Sequence, residues 1–175
     1  MPGMKTTTVI SVFIAIFVFG FAAKEAPAQS KKLIILVRHA EKLPPVDTDK
    51  GDPDLSPDGR QRAERLMNAV KRYRPKEIFV TDYKRTRQTA EPIANLRKIT
   101  IQNYDPLHQP EFVAKILASK TKQYLIIGHS NSIPALANLL MKKEVFKQLP
   151  DPEYGVFWVV RMKNGVVTKI EVFPY

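Results

Sequence analysis

Four side chains stand where buried strands would end: Arg38 and His39 after LIILV, Arg85 in TDYKRTRQTA, and His129 in the GHS that follows YLII. Together they have the chemistry to hold and attack a phosphoryl group. Arginine's planar fork pairs with phosphate oxygens in a bidentate way, and a neutral imidazole is a competent nucleophile at ordinary pH. In open α/β sheets, ligands gather outside the carboxyl ends of the strands. Neighbouring parallel strands would therefore bring two histidines and two arginines to one pocket.

The elements that must carry these groups follow from the pattern of apolar residues. Leu33 to Val37 is an unbroken aliphatic run, which reads as a strand buried on both faces. The stretch LPPVDTDKGDPDLSPDG is a loop, rich in Pro, Asp and Gly. A helix then starts at Ser56 as N-cap, with Pro57 at its first position and Asp58 in its first turn. Ala63, Leu66, Met67 and Val70 give that helix one core face. Glu77 to Val80 is a second strand, and Lys84 to Leu96 a second helix that Pro92 would bend or shorten. A weak strand is expected around Ile99 to Ile101 and a helix around Pro110 to Ser119. Tyr124 to Ile127 repeats the first pattern, breaking at Gly128 and entering a helix near Ser132. VFWVVRM and VVTKIEVF, joined through Asn164-Gly165, form a C-terminal β-hairpin. The fold class is α/β: a three-layer sandwich with a mostly parallel central sheet flanked by helices.

These motifs resemble those of the histidine phosphatase superfamily, the phosphoglycerate mutase-like fold, and in particular its small phosphohistidine phosphatase branch. LVRHAEK stands for the family's Arg-His-Gly signature, LSPDGRQRAERL for its Leu-Ser/Thr-x-x-Gly helix, FVTDYKRTRQTAEPIA for its Ser-x-x-x-Arg segment, and LIIGHSNSIPAL for its second histidine. They occur in the family order over residues 33 to 140. Ala40 replaces the usual glycine and Thr81 the usual serine. The resemblance implies a phosphomonoester hydrolase of histidine acid phosphatase type, working without metal or cofactor. His39 becomes the nucleophile that forms phosphohistidine, and Arg38, Arg85 and His129 hold the phosphoryl oxygens. Two nearby guanidinium groups should also depress the pKa of His39 and keep it neutral.

Family members usually take the acid that protonates the leaving oxygen from the segment before the second histidine. Here NYDPLHQPEF offers Asp105 and Glu111. Asp105 is preferred, since an Asp-Pro step after a strand can project into the site, whereas Glu111 reads as a first-turn helix residue. Glu41 is a third candidate, or else a residue that orients His39 or Arg38, and Asp82 could hydrogen-bond an arginine of the site. Arg87 and His108 read as surface residues, Asn131 as a helix cap and Trp158 as core.

The chain has 175 residues, a formal charge of +11 and no cysteine, which suits one α/β domain without disulfides or thiolate metal sites. Met1 to Lys5 is short and basic, Val9 to Ala23 is apolar, and Ala26-Pro27-Ala28 offers small residues for a signal peptidase. Residues 1–28 are expected to be a signal peptide and 29–175 the domain, exported to the periplasm or secreted. No stable membrane anchor would remain after cleavage; the rival reading is an uncleaved anchor, for which the apolar run of 15 residues is short against the roughly 20 a spanning helix needs. The basic balance favours anionic substrates, and an exported enzyme would meet small-molecule, sugar or lipid phosphomonoesters. The lysines and arginines are scattered along the sequence, so nucleic acid is not expected. The alternatives are an exported phosphate-binding pseudo-enzyme and a mutase-type phosphotransferase. Only 89 residues separate the two histidines, which leaves little room for the covering insertion of mutases.

Overall fold

An unbroken aliphatic strand needs a cover on each face, and the fold supplies both. The structure, a computed structural model, describes residues 30–44, 51–151 and 153–175. The expected leader, 1–28, lies outside the described residues. β1 (Lys31–Arg38), β2 (Glu77–Val80), β3 (Ile101–Asn103) and β4 (Gln123–Gly128) are mutually parallel. β5 (Val156–Lys163) and β6 (Val166–Pro174) form the C-terminal hairpin, and the six strands lie in the order β3-β2-β4-β1-β5-β6. The helices are α1 (Pro57–Val70), α2 (Lys84–Arg97), α3 (Gln109–Ala118) and α4 (Ser132–Met141).

Alternation along β1 divides the core. Ile34 and Leu36 face one cluster with Phe112 and Ile116 of α3 and Ile133 and Leu136 of α4. Ile35 and Val37 face the other, with Leu66 and Val70 of α1 and Ile93 of α2. All four β1 residues are fully buried, consistent with a two-sided run. Trp158 is core, as its pattern indicates.

Two element boundaries differ from expectation. Pro92 does not shorten α2, which runs on to Arg97; burial of Thr89, Ala90, Ile93 and Ala94 outweighs the one helical hydrogen bond a proline forfeits. The third strand begins at Ile101, because Ile99 belongs to the helix end and donates its N–H to Ala94 O at 3.0 Å.

The start of α1 bears directly on the site. Ser56 Oγ accepts the N–H of Gly59 at 3.0 Å, and a Cβ on Gly59 would run into the carbonyl of Glu41, two residues after His39. Gly59→Ala should therefore destabilise the protein by about 3 kcal/mol, since backbone must move to admit the methyl. Higher helix propensity would offset only about 1 kcal/mol of that. Chemical denaturation checks the sign: a variant as stable as wild type would show that the helix start is free to shift.

Candidate active site

The order of the strands places the carboxyl ends of β2, β4 and β1 side by side. Val80 pairs with Ile127 and Arg38 with Gly128, and the N–H of His39 donates to Gly128 O at 2.9 Å, carrying the ladder one residue past β1. His39 and His129 consequently meet edge to face, ring centroids 5.3 Å apart. His39 Nδ1 lies 2.7 Å from the carbonyl oxygen of Ala40, which can only accept. That contact assigns the proton to Nδ1 and leaves the lone pair on Nε2. Thr89 binds this strand end to α2: its Oγ1 accepts the Ala40 N–H at 3.0 Å and donates to Arg85 O at 2.7 Å. His129 Nε2 is 2.8 Å from Oγ1 of the buried Thr81, and its backbone N–H donates to Ser132 Oγ at 2.9 Å.

The two arginines are held differently. Arg38 is buried, and its Nη groups are taken up by the segment that returns from α4 to β5. Nη1 donates to Pro150 O at 3.1 Å and Glu153 O at 3.0 Å, and Nη2 donates to the Asp151 carboxylate and, at 3.3 Å, to Tyr154 Oη. The guanidinium stacks 4.1 Å over the Tyr154 ring, and its Nε has no partner. Arg85 is looser. Its Nη1 is 3.5 Å from Asp52 Oδ1, its Nε is also unpartnered, and it lies 4.1 Å over the ring of Tyr83.

Arg38, His39, Arg85 and His129 line one hollow of about 700 Å³, together with Tyr83, Leu107, Gln109, Asn131, Asp151 and Tyr154 among others. The proposed acids lie elsewhere. Asp105 is fully occupied by its own turn, Oδ1 accepting the Leu107 N–H at 2.8 Å and Oδ2 lying 2.7 Å from His108 Nδ1, and it does not line the hollow. Glu111 does not line it either. Glu41 neither orients His39 nor Arg38: both its oxygens accept from Arg62 Nε, at 2.6 and 2.7 Å. Asp82 accepts from Asn103 Nδ2 at 2.8 Å instead of from an arginine of the site. His108 is exposed, Arg87 donates to Asn103, and Asn131 caps α4 while also facing the hollow.

Sequence reasoning missed Tyr83, Tyr154, Asp151 and Gln109. Tyr83 carried a signal, being two residues before Arg85 at a helix start. Asp151 and Tyr154 come from an irregular stretch whose return to the site no periodicity announces.

Burial dominates the electrostatics. It holds the His39 imidazole down to about 3, with the carbonyl of Ala40 opposing and His129, Arg85 and Arg38 adding to the depression. His129 is lowered to about 4, again by burial first and then by Arg85 and Arg38. The guanidinium groups thus act as expected on His39 but are secondary to desolvation. Arg85 itself is lowered by burial, with Asp52 pulling the other way. The result is a pair of neutral imidazoles between two cations.

This parallel sheet completed by a hairpin, with two histidines and two arginines at its centre, resembles structures solved for the histidine phosphatase superfamily. The sequence model of that superfamily (branch 1) matches residues 34–112, in agreement with the resemblance carried by the motifs. Among solved structures, the protein histidine phosphatase SixA complexed with tungstate superposes with a TM-score of 0.67 at 16% identity, covering 81% of this chain and 96% of that one. A mycobacterial glucosyl-3-phosphoglycerate phosphatase superposes with a TM-score of 0.63 at 13% identity, covering 83% of this chain and 98% of that one. At these identities the likeness is one of fold. No curated protein matches the chain.

Proposed function

We propose that the protein hydrolyses phosphomonoesters through a phosphohistidine formed on Nε2 of His39. The observation that carries this reading is the Nδ1 contact of His39 with the Ala40 carbonyl, beside a hollow lined by Arg38, Arg85 and His129. In the first step Nε2 attacks phosphorus in line as the bond to the leaving oxygen breaks. Arg85 and the Nε–H of Arg38 stabilise the equatorial oxygens. His129, whose Nε2 lies 2.8 Å from the Thr81 hydroxyl, joins them through its ring N–H. The leaving oxygen takes a proton, and among the described residues the carboxyl that faces the hollow is Asp151. Water then attacks the phosphorus, the P–N bond breaks, and orthophosphate leaves. The fold neighbours act on phosphohistidine and on glucosyl-3-phosphoglycerate. The preferred substrates here are small, sugar or lipid phosphomonoesters, on the strength of the open hollow and the expected export.

Rapid quenching in alkali after mixing with a labelled phosphomonoester, followed by peptide mapping, tests the intermediate. Acid-labile, alkali-stable label on the His39 peptide is the expected result. A protein that binds phosphate tightly but never acquires label would be the pseudo-enzyme instead.

The same lowered pKa values set the pH profile. Both histidines bind a proton more weakly folded than unfolded, so their contribution to stability is complete above about 6.5 and is lost as pH falls through 4 toward 3. Over that window His39 stays an unprotonated nucleophile, and the acid limb of kcat/KM due to it should lie below about pH 5. A limb near 6.5 that vanished in His39→Asn by phosphate-binding measurements would show an imidazole exposed to water.

A further inference from the structure

The chain's excess positive charge is gathered at one pole of the molecule. Each helix starts near the site and ends at the opposite end of the sheet, where β2, β3 and β4 begin after α1, α2 and α3; after α4 the chain returns to the site before β5, which ends at that far pole. The segments at that far end are 30–32, 71–77, 97–100, 119–123, 142–144 and 163–165. Together they hold thirteen basic and two acidic residues, while the remaining described residues hold twelve of each. All thirteen cations except Lys32 and Arg97 are exposed. Lys32 turns inward to the carbonyls of Ser119 and Thr121, at 2.6 and 2.8 Å.

Favourable placement at helix C-termini accounts for a cation or two, and it does not account for where three of these sit. Arg74, Lys98 and Lys142 have φ of 51°, 53° and 54°, the left-handed region where a helix or its terminal turn ordinarily closes on glycine. At these positions a side chain strains the backbone, and each of the three is a long cation pointing from the same pole. Charge is kept there in place of conformational ease.

The chain preceding Ser30 leaves at this pole, since Ser30 O accepts the N–H of Asn164 beside the first residue of β1. Seven residues, 24–30, separate that point from the apolar stretch Val9 to Ala23. Even fully extended they span about 25 Å, so in the uncleaved chain, whenever the apolar stretch occupies a bilayer, the cationic pole is the part of the domain held against the lipid headgroups. We propose that this pole is a docking surface for anionic membrane lipid, which turns the hollow with His39 away from the bilayer. The attraction adds roughly per lysine or arginine near a charged surface and fades over a Debye length. This inference is independent of the reaction assigned to the hollow.

The test is vesicle co-sedimentation of the full chain on phosphatidylcholine alone and on phosphatidylcholine mixed with phosphatidylglycerol. Binding to neutral vesicles reports the apolar stretch, and the increment on anionic vesicles reports the pole. The proposal expects a salt-sensitive increment that falls about 10- to 100-fold in Arg74→Gly/Lys98→Gly/Lys142→Gly, for three cations removed. Glycine suits all three backbone conformations, so the variant should unfold at the same or higher temperature than wild type and keep its turnover of a soluble phosphomonoester. An increment equal in variant and wild type would overturn the proposal. Tighter binding to duplex DNA than to anionic vesicles at matched salt would overturn it too, assigning the pole to nucleic acid.

Discussion

His39→Ala should lower kcat/KM for a phosphomonoester by at least about four orders of magnitude, the scale of loss when a covalent nucleophile is removed. The substitution deletes the nitrogen on which the phosphoryl group is to rest, and no other group in the hollow replaces it. His129 is the nearest imidazole, but its Nε2 is 2.8 Å from Thr81 Oγ1. Near-equal loss of kcat and kcat/KM, with little change in the affinity for inorganic phosphate, is the expected split, because Arg85 and His129 remain to bind the anion. Residual turnover within tenfold of wild type would remove His39 from the reaction.

Replacing Arg85 with alanine should cost about 10²- to 10³-fold in kcat/KM, the effect of losing one donor aimed at developing charge in a dry site. Arg85 is the freer of the two arginines. Its ion pair to Asp52 is long, whereas every Nη hydrogen of Arg38 already has a partner between residues 150 and 154. Phosphate therefore meets in Arg85 a fork it need not pull from another site. Arg85→Lys should recover only part of the loss, since an ammonium cannot span two oxygens in a plane. The substitution also removes a cation that depresses both histidines. The acid limb of the rate profile should move to higher pH in Arg85→Ala while His39 still carries label. An unchanged phosphate inhibition constant in Arg85→Ala would show that the guanidinium does not touch the anion.

The four groups facing the hollow were legible because each directly follows a strand or opens the helix after one, and parallel strands deliver such residues to a common edge. Asp105 was misplaced for a local reason: Asp-Pro-Leu-His closes on itself, with one oxygen on the Leu107 N–H and the other near His108. Glu41 was misplaced because its partner, Arg62, lies on α1, 21 residues away. Asp151 and Tyr154 were illegible, since a stretch without periodicity gives no hint that it will fold back over Arg38. The lysines and arginines look scattered along the chain, yet the succession of strands and helices returns them to one pole at intervals of about 20 to 40 residues, so topology was needed to see them as one surface.

The sheet has unequal borders: β3 offers three residues and β6 nine. A long border strand presents free N–H and C=O groups on which a second molecule could add another strand. Val166 and Val172 are exposed along it, a composition that would invite such stacking. Between them Glu171 pairs with Lys169 on the same strand and with Arg161 of β5, and the strand ends on Pro174, which has no N–H to offer. The nine-residue border is thus guarded by an ion triad and a proline instead of a covering helix, and the protein's resistance to stacking edge to edge rests on those few residues.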